Sequence, residues 1–223
     1  MKEESKICKV IIFDFDGVLA DSFYNCYELN KKALASVGLR LTQKDYRDLF
    51  NENVHLGFKK FIKDGELYKK FVEIRKQEFD SYYSPSKVKL FPGTAKFLNK
   101  IGLTHNFNAV MRGANLAIAS STPANFIYSL LKKNRLQNVF GLILGNNEHT
   151  KENVIKTILA RFKAKPKTAI MITDSVGDIK IAKKTGLKTI GVTWGFHSKN
   201  TIKKVKPDFV ATSFSDLLKY LLT

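Results

Sequence analysis

Four apolar residues, Val10-Ile11-Ile12-Phe13, stop abruptly at Asp14, and similar short apolar runs recur along the second half of the chain. An unbroken run of this length reads as a strand buried on both faces, as in a parallel sheet. Further strands are expected at Leu116–Ala119, Val139–Leu144, Thr168–Ile172, Lys188–Val192 and Asp208–Ala211. Between them the apolar spacing changes to the helical period. Helices are expected from Phe91-Pro92-Gly93 to about Lys100, from Pro123 to about Lys133, from Lys151 with Val154, Ile155, Ile158, Leu159 and Phe162 on one face, up to Lys184 before Gly186, and over Phe214–Leu222. Strand and helix in alternation predict a doubly wound, Rossmann-like parallel sheet.

The stretch from 22 to 85 has a different pattern and no strand signal. Phe23, Tyr27, Ala33, Leu34 and Val37 follow a helical period up to Gly38. Thr42 is placed to cap a helix through Leu49 and Phe50, and further helices are expected over Leu56–Ile62 and Leu67–Tyr83, before Ser84-Pro85-Ser86 breaks the pattern. A helical insertion after the first strand reads as a small cap domain, 21–86, on an α/β core made of 1–20 and 87–223. Leu103 to Gly113 is longer than a helix-to-strand connection needs and is expected to be a surface loop that includes His105.

Composition adds limits. Hydrophobic residues make up 44% and charged residues 26%, which is ordinary for a globular protein. No run is long enough to span a membrane, and the charged opening Met1 to Lys6 does not resemble a signal peptide. Cys8 and Cys26 offer no disulfide framework, so core packing in a reduced cytoplasmic setting is expected. Net charge is +18, from 38 Lys and Arg against 20 Asp and Glu. The lysines are dispersed in pairs such as 31–32 and 203–204, with no dense basic tract or interleaved aromatics. The expectation is a solvated basic surface that attracts phosphorylated substrates, and nucleic acid is not the expected partner.

The candidate chemistry gathers where the strands end. Asp14 and Asp16 close the first strand with like charges that repel unless a cation or proton lies between them. Ser120 and Asp174 follow later strands, and Lys151 opens a helix on the same edge, where open parallel sheets hold their ligands. Each residue alone has a plain structural alternative: Ser120 as a helix cap, Asp174 and Asp178 as acids at a helix start, Lys151 as one lysine among many.

Together they resemble the haloacid dehalogenase-like hydrolases. The stretch Asp14-Phe15-Asp16-Gly17-Val18-Leu19-Ala20-Asp21-Ser22 is similar to the first signature of that family, Leu116 to Ser120 to the second, Lys151 to the third, and Thr173-Asp174-Ser175-Val176-Gly177-Asp178 to the fourth. Thr173 stands where the family usually has glycine. Gly191 to His197 and Pro207-Asp208-Phe209 resemble the phosphoglycolate phosphatase-like branch.

The resemblance implies an aspartyl-phosphate mechanism. Asp14 is then the nucleophile, and Asp16 the acid and then the base. Ser120, Ser121 and Lys151 bind phosphate. Mg²⁺ is the implied cofactor, held by Asp14, the Asp16 carbonyl and Asp174, with Asp178 nearby or ligating. The implied substrate is a small phosphorylated metabolite, phosphoglycolate among the candidates, and the implied assembly is a monomer or homodimer. A phosphosugar mutase, a pyrophosphatase and a non-catalytic polyanion binder are the alternatives. The segment Leu49 to Gly57 lacks the Arg-Gly of the mutase branch. Asp16 argues against dehalogenation, which protonates no alkoxide. Trp194 and His197 are expected to shape a loop.

Overall fold

The computed structural model describes residues 8–103, 114–145 and 150–222. Its centre is a six-stranded parallel sheet in the order β5-β4-β1-β6-β7-β8. These strands are β1 (Val10–Phe13), β4 (Asn115–Ser120), β5 (Leu142–Gly145), β6 (Ala169–Thr173), β7 (Lys188–Val192) and β8 (Phe209–Ala211). The remaining two, β2 (Ala20–Asp21) and β3 (Lys89–Leu90), pair antiparallel as a separate ribbon.

The continuous apolar runs are explained by two cores. Ile11 and Phe13 of β1, Leu116 and Ile118 of β4, and Ile170 and Ile172 of β6 face one core. That core is covered by α6 (Thr94–Leu103), α7 (Ala124–Lys133) and α11 (Phe214–Leu222), through side chains such as Phe97, Ile127 and Leu217. Val10, Ile12, Ala117, Ala119, Ala169 and Met171 face the other side, against α8 (Lys151–Arg161) and α9 (Val176–Lys184). Successive strand residues point to opposite faces, so a strand covered on both sides must be apolar at every position.

A third apolar cluster lies apart from these two. It is built from α1 (Phe23–Ala35), α2 (Gln43–Asp48), α3 (Val54–Ile62) and α4 (Gly65–Gln77), and is rich in aromatic side chains, with Phe23, Tyr27, Tyr46, Phe58 and Phe71 buried. Phe196, from the loop after β7, joins it and packs edge-on against Phe23 and Phe50.

Several expected boundaries are corrected. The strand expected from Val139 begins at Leu142, because Val139 closes a turn onto Leu136 and Phe140 packs against Phe13 from that turn. The expected helix over Leu67–Tyr83 is two helices, α4 and α5 (Phe79–Tyr82), separated at Glu78. It also starts earlier, where the Asp64 carboxylate accepts from the amides of Glu66 and Leu67. Thr42 does cap α2, in a reciprocal box with Asp45, but Leu49–Asn51 tighten into a 3-10 turn. The β2–β3 ribbon and α10 (Lys199–Lys204) had no expectation. Two-residue strands show no periodicity, and α10 buries only Ile202. The expected loop lies, from 104 to 113, outside the described residues, as do residues 146–149.

Candidate active site

Asp14 continues the β1 ladder by one bond, its amide donating to Ile172 O at 2.9 Å. The chain then turns back. Leu19 and Ala20 amides both donate to Phe15 O, and Gly17 takes a φ of +73°. A side chain at Gly17 would be strained at that φ, and its Cβ would lie 2.0 Å from Asp174 Oδ2. Glycine is therefore what lets the first acidic loop approach the β6 end.

Lys151, the first residue of α8, reaches into this crowd. Its ammonium donates to Ala119 O at 2.8 Å and pairs with Asp14 Oδ1 at 3.1 Å and Asp178 Oδ2 at 2.9 Å. Its three donors thus have three acceptors. Burial works against the ammonium, but Asp14 and Asp178 outweigh it and hold its pKa above the ordinary lysine value. Burial pushes Asp14 upward, against the pull of Lys151 and with the help of Asp178 and Asp174. Burial likewise moves Asp174 up to about 7, although the Phe196 amide donates to its Oδ2 at 2.6 Å. Three carboxylates thus face one ammonium, and the upward shifts come first from burial, with the crowding of carboxylates adding to them.

Asp16 is held differently. Ser22 Oγ donates to Oδ1 at 2.7 Å and Thr122 Oγ1 to Oδ2 at 2.6 Å. Burial raises its pKa, and these two hydroxyls oppose the rise. Ser120 is the last residue of β4 rather than the first beyond it, and its hydroxyl accepts from the Thr122 amide at 3.0 Å. Ser121 lines the same cavity, half-buried. Thr173, in the place of the family's glycine, accepts from the Ser175 amide and lies 3.5 Å from Asp14 Oδ2. Its side chain is accommodated inside the turn before α9.

The structure therefore brings Asp14, Asp16, Ser120, Ser121, Lys151, Asp174 and Asp178 to one cavity of about 90 Å³. The opposite wall comes from the helical segment and includes Asn30, Tyr46, His55, Phe58, Phe71 and Arg75. Sequence reasoning did not single out Thr122, Ser22, Arg75 or the Phe196 amide. Ser22 and Thr122 lay beside motif residues, but nothing in the spacing links Thr122 to a carboxylate 106 positions away.

Trp194 and His197 shape their loop as expected. Trp194 Nε1 donates to Val18 O at 3.0 Å. His197 Nδ1 accepts from the Val176 amide, so Nε2 carries the proton and donates to Arg47 O at 2.9 Å. That ring ties α9 to the helical segment. Arg47 Nε adds a bond to Phe196 O at 2.9 Å, and Lys180 reaches Asn51 O at 3.2 Å.

The donor set fits a hard divalent cation. All the candidate donors are oxygens, and the charge excess calls for positive charge. Asp14 Oδ1 and Asp178 Oδ2 both pair with Lys151 and Asp174 Oδ2 accepts from the Phe196 amide, so the second oxygen of each carboxylate and backbone oxygen are the freer donors. Among the described residues no group of three or more His, Cys, Asp or Glu side chains forms a ready cage. Oxygen donors of this kind suit Mg²⁺, which binds through one or two carboxylates and keeps waters or substrate phosphate as its other ligands.

Residues 11–192 match the family described as haloacid dehalogenase-like hydrolase, and the chain belongs to that family. Among curated relatives it is 25% identical to a phosphoglycolate phosphatase of Vibrio vulnificus, over 96% of each chain. It is 24% identical to a phosphoglycolate phosphatase of Synechococcus elongatus, over 95% of this chain and 96% of that one. Among solved structures, a predicted phosphatase from Clostridium acetobutylicum superposes with a TM-score of 0.83 at 24% identity, covering 97% of this chain and 99% of that one. A predicted phosphoglycolate phosphatase from Haemophilus somnus gives 0.74 at 20% identity, covering 97% and 99%. Among the described residues no helix is long and apolar enough to cross a membrane.

Proposed function

We propose that the protein is a Mg²⁺-dependent phosphatase, a phosphoric monoester hydrolase, acting on a small phosphorylated metabolite with phosphoglycolate as first candidate. The observation that carries this reading is the division of labour between two acids two residues apart. Asp14 lies against the Lys151 ammonium, and Asp16 is held by two hydroxyls beside the same cavity. Burial raises the pKa of Asp14, and the Lys151 ammonium opposes that rise and favours the anion, the form that can act as a nucleophile. Burial raises the pKa of Asp16, which favours its carrying a proton to the leaving group.

In the first step an Asp14 oxygen forms a bond to phosphorus as the ester P–O bond breaks, and Asp16 gives its proton to the leaving alkoxide. In the second, Asp16 takes a proton from water as that water attacks phosphorus, releasing inorganic phosphate and restoring the Asp14 carboxylate. The Lys151 ammonium orients Asp14 and, with the Ser120 hydroxyl and the Ser121 amide, holds phosphoryl oxygens. Asp14, Asp174 and the Asp16 carbonyl would hold Mg²⁺, with Asp178 supporting through Lys151. When bound, the metal would neutralise charge on the carboxylates and the phosphoryl group. The free thiols of Cys8 and Cys26 suit a reduced, cytoplasmic setting.

In this reading residues 21–86 form a cap over a core of 1–20 and 87–223, and the cap selects the leaving group. Gly177 is the point of close approach: a Cβ there would lie 2.2 Å from Glu52 O. Gly177→Ala is expected to push the cap segment away and lower kcat/KM by about 10- to 100-fold. Steady-state kinetics on a protein with an unchanged circular dichroism spectrum would check this, and wild-type kinetics would remove Gly177 from the closing contact.

The primary test is phosphate release from a panel of 2-phosphoglycolate, sugar phosphates and pyrophosphate, in Mg²⁺ and in EDTA. Metal-dependent release supports the reading. Interconversion of sugar phosphates without release would turn it toward a mutase. The metal has its own readout, because a ligand that binds only the folded state raises the melting temperature. Mg²⁺ at about 100 times its Kd is expected to stabilise the wild type by about 2.7 kcal/mol, or roughly 5–10 °C at this size. Asp174→Asn is expected to lose most of that response. An equal response in both proteins would place the metal elsewhere.

A further inference from the structure

The cavity has a second charged end that the phosphate chemistry leaves unused. Arg75, on α4, lines the wall opposite the strand ends. Its Nε is shut off from solvent and has no hydrogen-bond partner. Among the described residues its guanidinium has no ion pair and no aromatic ring beneath it. The nearby cap lysines differ: Lys32, Lys60 and Lys69 each pair with a glutamate at the surface. The charge of Arg75 is nevertheless felt inside the cavity, where it opposes the rise that burial gives Asp16 and adds to the fall that burial gives His55. Asn30 Oδ1, in the same cavity, is also buried without a partner.

A guanidinium cannot shed its proton, and Arg75 is half-buried with its Nε shut off from solvent and unpartnered, so an anion that reaches it gains a charged donor. Its fork of donors matches a carboxylate. Every anionic side chain lining the phosphate end is already engaged by Lys151, by hydroxyls or by the Phe196 amide. Glu52, which lines the cavity on the cap side, pairs with Lys60, so a counter-charge for Arg75 can arrive with the ligand. We propose that Arg75 binds a carboxylate on the leaving-group side of the substrate, so that the enzyme selects small phosphorylated hydroxy acids over neutral phosphate esters. A cavity of about 90 Å³ has room for roughly six to nine water-sized groups at about 10–15 Å³ each, the phosphate included, so the acid is a short one. The assignment rests on the phosphatase reading of the same site and adds the leaving-group class to it.

The test compares 2-phosphoglycolate with 2-hydroxyethyl phosphate, which replaces the carboxylate by a neutral group of similar size. Two readouts are taken in Mg²⁺: kcat/KM, and calorimetric Kd on an Asp14→Asn background that does not consume the ligand. The carboxylate ester is expected to win by at least about tenfold in each. Arg75→Gln is expected to bring both ratios to about one, and Arg75→Lys, which keeps the charge and loses the fork, to an intermediate value. Melting curves check that the variants are folded. Ratios near one in the wild type, or ratios that survive Arg75→Gln, would overturn the assignment while leaving a phosphatase. A binding preference lost with Arg75→Gln, in a protein that turns over neither ester, would keep the assignment and sink the phosphatase. No binding and no turnover of either compound would sink both.

Discussion

Asp14→Asn is expected to lower kcat by about 10⁴- to 10⁶-fold, the range seen when a covalent nucleophile is removed, while the protein stays folded. The amide is a poor nucleophile toward phosphorus and cannot form the acyl-phosphate anhydride. The substitution should be mild for the fold, for reasons visible around the side chain. Asn can still accept from the Phe15 amide, which now donates to Asp14 Oδ1 at 2.8 Å. Lys151 keeps Asp178 at 2.9 Å and the Ala119 carbonyl at 2.8 Å. One negative charge also leaves a buried cluster in which burial first and neighbouring carboxylates second raise Asp14 and Asp174. Single-turnover phosphate release, together with a melting curve, measures both halves. A folded variant that retains more than about one per cent of kcat would place the nucleophile elsewhere.

Lys151→Met is expected to fail differently, losing both activity and stability. It removes the one positive charge from between Asp14 and Asp178, both nearly buried, and leaves the Ala119 carbonyl without its donor. Removing one partner of a buried ion pair costs about 3–5 kcal/mol. In a domain of this size that corresponds to a melting temperature roughly 6–20 °C lower. Activity should fall by at least about 10²-fold, since the phosphoryl group loses a fixed donor. The double variant Asp14→Asn/Lys151→Met is expected to be more stable than Lys151→Met alone, because it also removes one of the uncompensated charges. Urea denaturation of the four proteins completes the cycle. A Lys151→Met loss below about 1 kcal/mol would mean that the carboxylates take up protons at little cost and the ammonium is not what holds them.

Local pattern alone determined much about this protein. β1, β4 and β6 are visible because burial on both faces makes them apolar at nearly every position. β7 and α11 occur at the expected residues, Lys188–Val192 and Phe214–Leu222. The acids are visible because charge at the end of an apolar strand is costly without a reason, and the order of signatures carried the family. Other features depend on tertiary structure. Val139 and Phe140 look like strand residues and are instead core residues supplied by a turn. The β2–β3 ribbon that carries the helical segment is too short to leave a periodic trace.

The chain's residue order placed the acids, Ser120 and Lys151 at the ends of strands and helices, because hydrophobic period and turn chemistry are written locally. It did not state that three parallel ladders bring those ends together. Nor did it state that Thr122 and Ser22 both hold Asp16, that the Phe196 amide meets Asp174, or that one arginine of α4 faces the cavity unpaired. Those pairings join residues far apart in the chain, and their energy depends on distance and burial that exist only once the sheet and the helical segment have packed together.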